Sequence, residues 1–225
     1  MTRPRVTIHN TASVDGKVTG FPADLGLYYK IAGRVSHDAV LTGSGTLLAA
    51  AAAQGIDLTG EDREFGAPNP RDDSRPWLVI VDSGGRLTRL DWLRGQPFWR
   101  DVLVLCTERT PPAHLQRLRR HDVPHLVLGA DHVDLPAALN ALAVDHHVRA
   151  VRVDAGGTLN GQLLHHQLVD EISIVVAPFV AAASGSGSVG LVVPGRDGPA
   201  IPLTPPGVEV LRDGHLWLRY GVAAG

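Results

Sequence analysis

Residues 151–171 read VRVDAGGTLNGQLLHHQLVDE, and this stretch decides the fold expected for the chain. Its first part, with Val151 and Val153, has the β-branched residues typical of a strand. Gly156 and Gly157 then end the strand and leucines at helical spacing follow, which predicts a strand, a tight turn and a helix start. The N–H groups at such a helix start favour a phosphate or pyrophosphate, although the same turn could serve the fold alone.

Composition sets limits on the class of protein. The chain has 225 residues, a formal net charge of -2 and a single cysteine, Cys106. The length suits one domain over residues 1–225, and the near-neutral charge gives no reason to expect nucleic acid as a partner. One cysteine excludes a disulfide framework and a cysteine-based zinc site, so no metal site is predicted. No run approaches 18 apolar residues, so we expect a cytoplasmic protein without a membrane span.

Short apolar segments alternate with helical patterns along the chain. Strands are predicted at 6–11, 39–42, 77–81, 102–106, 125–128, 150–153 and 172–176, and a closing pair at 208–211 and 216–220 flanks the turn dipeptide Asp213-Gly214. Helices are predicted at 25–35, 46–54, 112–121, 135–145 and 158–167. This order predicts an α/β fold with a mainly parallel sheet flanked by helices and an antiparallel C-terminal hairpin.

Turns rich in glycine or aspartate follow three other predicted strands. They are Asp15-Gly16-Lys17, then Gly43-Ser44-Gly45-Thr46, where Ser44 or Thr46 could cap the next helix, and Asp82-Ser83-Gly84-Gly85. Any one of these turns, taken alone, could equally well serve only the fold. Because the carboxyl ends of parallel strands lie along one edge of a sheet, where α/β folds bind ligands, the series indicates a ligand site at that edge.

Taken in order, these segments resemble the reductases of riboflavin biosynthesis, which have a dihydrofolate-reductase-like fold and reduce a ribosylamino-pyrimidine 5′-phosphate with NADPH. The resemblance runs from Val6 to about Val222, through segments 13–17, 38–46 and 81–83, the turn with Asp154, and segment 168–171. It implies an NADPH-dependent oxidoreductase with a small-molecule pyrimidine substrate. It also implies a homodimer, which the apolar surface expected at the final hairpin and at the strand 172–179 supports.

The resemblance also implies roles for particular residues. Cofactor contacts are implied at Thr11, Thr46, Ser83, Gly156, Gly157, Thr158 and Leu159, and Gly43 and Gly45 lie in a candidate phosphate-binding turn. We place the adenosine 2′-phosphate of the cofactor near Thr107 and Arg109, because a fixed positive charge there would favour a dianion. The alternative is that Arg109 is a solvated loop residue.

On the substrate side, Arg34 and Asp154 are expected to contact the pyrimidine or its sugar. Asp15 or a bound water is a candidate proton donor, and Lys17 could hold a hydroxyl or phosphate oxygen. Relatives commonly have an Asp-Asp-Pro segment that ends in a phosphate-binding arginine. This chain has none, so an arginine of the polar loop 55–75, which contains Arg63, Arg71 and Arg75, would have to replace it.

Two other functions are compatible with the sequence. One is a reductase of the same fold that acts on another pterin- or pyrimidine-like compound. The other is a non-catalytic nucleotide-binding protein that kept the fold without the substrate pocket. The substrates that support NADPH oxidation would distinguish them.

Overall fold

The computed structural model describes residues 3–60, 74–182, 189–192, 200–205 and 207–223. The chain divides into two compact units, one of Met1–Pro4 and His37–Arg149 and the other of Arg5–Ser36 and Ala150–Gly225. They are described separately below. The single domain expected over residues 1–225 stays a prediction.

The described residues form nine strands and six α-helices. In chain order these are β1 Arg5–Ser13, α1 Leu25–Ala32, β2 Ala39–Gly43, α2 Ser44–Ala52, β3 Trp77–Val81, α3 Leu90–Arg94, β4 Asp101–Cys106, α4 Pro112–Arg120, β5 His125–Val127, α5 Leu135–Asp145, β6 Ala150–Val153, α6 Gly157–His165, β7 Glu171–Ala177, β8 Gly207–Val210 and β9 Leu216–Gly221. All the predicted elements are present, with ends within three residues of those expected. Only α3 was not predicted, because five residues are too few to show a helical period.

The first unit contains four strands in the order β5-β4-β3-β2. Neighbouring strands pair in parallel, with Ala39 opposite Trp77 and Gly43 opposite Val81. The strands are near-continuous apolar runs because helices cover the sheet and bury its side chains. Ile80 and Val104 of the strands thus pack in one core with Leu118 of α4.

The second unit contains the strands β6-β1-β7-β9-β8. The first three pair in parallel, whereas β9 pairs antiparallel with both β7 and β8. Leu27 and Ile31 of α1 pack in one core with Val175 and Trp217. The mainly parallel α/β arrangement with an antiparallel C-terminal hairpin is therefore confirmed.

The turn between β8 and β9 contains more residues than the two that the dipeptide Asp213-Gly214 predicted. Asp213 and Gly214 both have positive φ, 53° and 75°, as expected for this pair. They lie in a short 3-10 turn at Arg212–Gly214, and the N–H of Leu211 donates to the carbonyl of His215 at 2.8 Å. The connection therefore has three residues rather than two.

The helices are short. The longest, α5, has 11 residues, whereas about 20 are needed to cross the apolar part of a bilayer. Within the described ranges, no helix has the length and apolarity of a membrane span.

Candidate active site

The strand, turn and helix predicted at 151–171 are present in the second unit. Strand β6 ends at Val153, and Gly156 is the N-cap of α6 with φ −78° and ψ 173°. Thr158 and Leu159 lie in the first turn of α6. No acidic side chain occupies that first turn, so the positive end of the helix dipole is not neutralised locally. The arrangement suits an anion.

Asn10 fixes β1 against this turn. Its side-chain amide donates to the carbonyl of Ala155 at 3.0 Å, and the amide of Asn160 donates to the Asn10 oxygen at 3.0 Å. The next residue, Thr11, has a buried hydroxyl without a hydrogen-bond partner among the described residues. A buried hydroxyl of this kind is costly unless a ligand satisfies it. Thr11 is therefore suited to the cofactor contact expected there.

In the first unit, the turn after β2 leaves space for a ligand. Gly43 has φ −99° and ψ 148°, a conformation that any residue adopts. A Cβ added at Gly43 would have no described atom within 4 Å. The chain's own packing therefore does not require glycine here, whereas a ligand that approaches the backbone would. Thr46 follows in the first turn of α2.

The expectation that Ser44 or Thr46 caps α2 is wrong. The N-cap is Gly43, and no side chain makes the capping hydrogen bond. The hydroxyl of Ser44 instead accepts a hydrogen bond of 2.8 Å from the guanidinium of Arg86, which also lies 3.3 Å from a Cβ built on Gly45. An exposed cation therefore lies at the N-terminus of α2, where the helix dipole is also positive. The guanidinium and the helix dipole are both positive at this point, so together they favour an anionic ligand.

The turn after β3 holds Arg86 in this position. The carboxylate of Asp82, which is 1% exposed, accepts the backbone N–H groups of Arg86 at 3.1 Å and Leu87 at 3.0 Å. The carbonyl of Ser83 accepts from the Thr110 hydroxyl at 2.8 Å. Ser83 therefore belongs to a turn fixed by buried hydrogen bonds, and the same turn directs Arg86 towards α2.

Arg109 lies in a different environment. Its side chain is 79% exposed and pairs with Asp131, with 2.6 Å between the nearest nitrogen and oxygen. Thr107 is fully buried, and its backbone N–H donates to the hydroxyl of Thr110. A solvated ion pair of this kind contributes little energy. The geometry favours the alternative in which Arg109 is a solvated loop residue.

Asp15 is occupied in holding its own loop. Its carboxylate accepts from the hydroxyl of Ser13 at 2.7 Å and from the N–H of Ala181 at 2.9 Å. These bonds, the one from Ala181 first, hold the pKa of Asp15 below its usual value. A carboxyl that ionises this readily is a poor proton donor at neutral pH. Lys17 forms a backbone bridge to Gly190, so the backbone around it is also part of this loop.

The pKa of Asp154 is shifted in the opposite direction from that of Asp15. Asp154 follows β6 directly, and burial raises the pKa of its carboxyl. The neighbouring side chains of Tyr28 and Arg152 favour its charged form and so lower this pKa. Both effects oppose burial, but burial is the largest. Asp154 was expected only to contact the substrate, but of Asp15 and Asp154 it is the carboxyl that stays protonated to higher pH.

Arg34, which was expected to contact the substrate, is paired with Glu209. Its guanidinium makes two hydrogen bonds to Glu209, at 3.0 and 2.8 Å, and stacks over the ring of Trp217 with 4.4 Å to the ring centre. The structure thus pairs Arg34 with Glu209 rather than with Asp154. Of the loop arginines, Arg75 donates to the carbonyl of Pro97, and Arg63 and Arg71 lie outside the described residues.

A family model described as the RibD C-terminal domain matches residues 4–192, most of the chain. The chain belongs to the RibD C-terminal domain family. The resemblance inferred from the ordered turns is thereby confirmed.

Relatives and solved structures agree with this family. The 2,5-diamino-6-ribosylamino-4(3H)-pyrimidinone 5′-phosphate reductase of Archaeoglobus fulgidus is 28% identical over 206 residues, covering 83% of this chain and 86% of the relative. The riboflavin biosynthesis protein RibD of Escherichia coli is 28% identical over 155 residues, covering 68% of this chain and 41% of RibD. A pyrimidine reductase-like protein of Corynebacterium diphtheriae has a TM-score of 0.71 at 17% identity, with 99% and 93% of the two chains covered. The last match supports the fold.

Within this RibD C-terminal domain, sequence reasoning missed two residues that the geometry emphasises. Arg86 follows the Asp82-Ser83-Gly84-Gly85 turn directly, so a cation next to that turn was the available signal. Tyr28 lies in a predicted helix, but nothing in the sequence indicated that its side chain would be buried and would affect the pKa of Asp154.

Proposed function

We propose that this member of the RibD C-terminal domain family reduces a ribosylamino-pyrimidine 5′-phosphate to its ribitylamino product with NADPH. The observation that carries the proposal is the match of the family model to residues 4–192, together with a carboxyl, Asp154, that lies between the end of β6 and the glycine N-cap of α6. The relative from Archaeoglobus fulgidus, which this chain matches over most of its length, is named as a reductase of such a compound.

The described residues fit a dinucleotide phosphate. In the first unit, Gly43, Gly45, Thr46 and Ser83 would hold the cofactor together with Arg86, whose charge suits a phosphate. In the second unit, considered by itself, Thr11, with its unsatisfied hydroxyl, and the run Gly156, Gly157, Thr158 and Leu159 are also suited to contact a cofactor phosphate. When bound, NADPH supplies the hydride, and the protein supplies orientation and electrostatics.

Asp154 would donate the proton that the reduction requires. Reduction of the open-chain imine of the substrate adds a hydride to the sugar C1′ and a proton to the neighbouring nitrogen, as the C=N bond becomes a C–N bond. A carboxyl whose pKa is raised by burial is better suited to hold that proton than an exposed one. Arg34 could give its two bonded N–H groups to the pyrimidine or its sugar only by releasing Glu209, since both now donate to that carboxylate.

NADPH oxidation by the purified full chain tests this proposal. We expect absorbance at 340 nm to fall with a ribosylamino-pyrimidine 5′-phosphate, either diamino or deaminated, and not with dihydrofolate. Oxidation only with a pterin would indicate a reductase with another substrate. NADPH binding without oxidation of any compound in the panel would indicate a non-catalytic nucleotide-binding protein.

We also expect the chain to form a homodimer. Val208 and Val210 of the edge strand β8 are 59% and 78% exposed, and Val180 is 77% exposed, so apolar surface remains at the end of the sheet. The strand β7 contributes less than expected because β1 and β9 pair with its two edges. Light scattering at micromolar concentration should give twice the chain mass of 23.9 kDa, and a monomer mass would contradict this expectation.

A further inference from the structure

Arg86 is exposed, yet it is held at three points along its length in the first unit. Its backbone N–H donates to the buried carboxylate of Asp82 at 3.1 Å. Its Cγ lies 3.4 Å from a Cβ built on Gly84, so the aliphatic part of the side chain runs close to that backbone. Its guanidinium donates to the hydroxyl of Ser44 at 2.8 Å. An exposed arginine normally samples many rotamers, whereas these contacts favour one.

Ser44, the partner of the guanidinium, is buried. The residue is 3% exposed and begins α2 directly after β2. A guanidinium has only donors, so the Ser44 oxygen accepts this hydrogen bond. If the Arg86 side chain turned away, that buried oxygen would be left without a donor among the described residues, which costs free energy. The pair therefore favours the position of Arg86 at the start of α2 before any ligand arrives.

The contact with Ser44 leaves the positive charge of Arg86 uncompensated. Three other arginines of the same unit pair with a carboxylate, namely Arg89 with Asp91, Arg94 with Asp101 and Arg109 with Asp131. Within the described ranges, no carboxylate forms an ion pair with the Arg86 guanidinium, whose partner is a neutral hydroxyl. A guanidinium has five N–H donors, so those that Ser44 does not use can bind a phosphate without breaking this contact.

We propose that Ser44 is a positioning residue whose hydroxyl holds the uncompensated guanidinium of Arg86 where it meets the 2′-phosphate of NADPH. Because the side chain is ordered before the cofactor binds, binding costs less side-chain entropy. The inference rests on the proposed function and adds to it a residue that sets the preference for NADPH over NADH.

The variant Ser44→Ala tests the inference, because it removes only the hydroxyl. We expect the Kd of NADPH, measured by calorimetric titration of the purified full chain, to rise about 3- to 10-fold, the range for loss of one hydrogen bond. The Kd of NADH should change less than about 2-fold, since NADH has no 2′-phosphate. General damage to the cofactor site would weaken both cofactors equally. Equal losses, or no loss of NADPH affinity, would overturn the inference.

A double variant tests whether Ser44 acts through Arg86. In Arg86→Ala the positioning contact no longer exists, so the addition of Ser44→Ala should raise the Kd of NADPH by less than about 2-fold. If the two losses instead multiply in the double variant, Ser44 acts on the cofactor independently of Arg86, and the inference is overturned.

The variant Ser44→Asp separates positioning from stability. A carboxylate at this position would still hold Arg86 but would neutralise its charge. The first turn of α2 contains no acidic residue, and one placed there interacts favourably with the helix dipole. We expect a Tm no lower than that of the wild type, together with a loss of NADPH affinity of about 10-fold or more. NADPH affinity at or above the wild-type value in this variant would overturn the inference, and Ser44→Ala with the double variant decides if the larger side chain prevents folding.

Ser36 provides the matched control, because it is exposed and precedes β2, whereas Ser44 follows that strand. Ser36→Ala and Ser36→Asp should leave both dissociation constants unchanged. A wild type that prefers NADPH through Ser44 but reduces no pyrimidine would refute the proposed function alone. A wild type that reduces the pyrimidine and binds NADPH and NADH equally well would overturn the inference and leave the proposed reduction standing.

Discussion

Replacement of Asp154 by asparagine is expected to lower kcat with the pyrimidine substrate about 100- to 1,000-fold, the range typical for loss of a positioned proton donor. Burial raises the pKa of this carboxyl, so it can carry a proton at a pH where an exposed aspartate cannot. Asparagine keeps the shape of the side chain, but it has no acidic proton to donate. NADPH affinity, measured by fluorescence titration, should change less than about 2-fold, because the carboxyl would contact the substrate rather than the cofactor.

Thermal unfolding provides the control for this variant. The folded-state pKa of Asp154 is raised above its unfolded value, so its contribution to stability is present at acidic pH and is lost as the pH rises towards the folded pKa. Asparagine cannot ionise, so the Tm of Asp154→Asn relative to wild type should increase from acidic to neutral pH. A fall in Tm at neutral pH together with lost activity would attribute the loss to unfolding and contradict the proton role.

Asp15→Asn tests the proton donor suggested by the sequence against Asp154. We expect it to loosen the contact to Ala181 while the pH profile of kcat stays in place, since the pKa of Asp15 is already low. Asp145→Asn, at an exposed position at the end of α5, serves as a neutral control. A profile that loses its alkaline limb in Asp15→Asn and retains it in Asp154→Asn would reverse the assignment.

The second large effect is expected at the cofactor. Arg86→Ala should weaken NADPH binding about 10- to 100-fold, equivalent to loss of a hydrogen bond to a charged group of about 1.5–3 kcal/mol. NADH affinity should change much less, because NADH lacks the 2′-phosphate that would meet the guanidinium at the start of α2. Calorimetric titration of both cofactors against wild type and variant provides the comparison.

Two further arginine variants make this result specific. Arg109→Ala tests the placement inferred from sequence, and the ion pair of Arg109 with Asp131 leads us to expect little change. Arg119→Ala removes an exposed cation of α4 and controls for the loss of net charge. Equal losses for NADPH and NADH in Arg86→Ala, or a selective loss in Arg109→Ala, would contradict the assignment to Arg86.

The fold was largely predictable because its signals are local. The apolar run from Trp77 to Val81 predicted β3 with its observed bounds, and the glycine pair after β6 predicted the start of α6 to within one residue. Helix α3 was missed because its five residues are held by buried Leu90 and Leu93 rather than by an extended periodic pattern. Local patterns thus predict elements where the element is long enough to show a period.

The partners of the site residues were not predictable because they are distant in sequence. Arg34 was expected at the substrate, but its guanidinium pairs with Glu209, 175 positions away. Arg86 folds back onto Ser44, 42 positions away. The position of Asp154 at the end of a strand could be predicted, whereas the burial of Tyr28 in the same unit depends on how α1 packs.

Hydride transfer from labelled cofactor tests the central claim most directly. The purified chain is incubated with NADPH that carries deuterium at the reactive C4 position and with a ribosylamino-pyrimidine 5′-phosphate, and the product is analysed by mass spectrometry and NMR. The account predicts a ribitylamino product with one deuterium at C1′ of the sugar chain. Recovery of unreduced substrate from a folded protein that binds NADPH would contradict it.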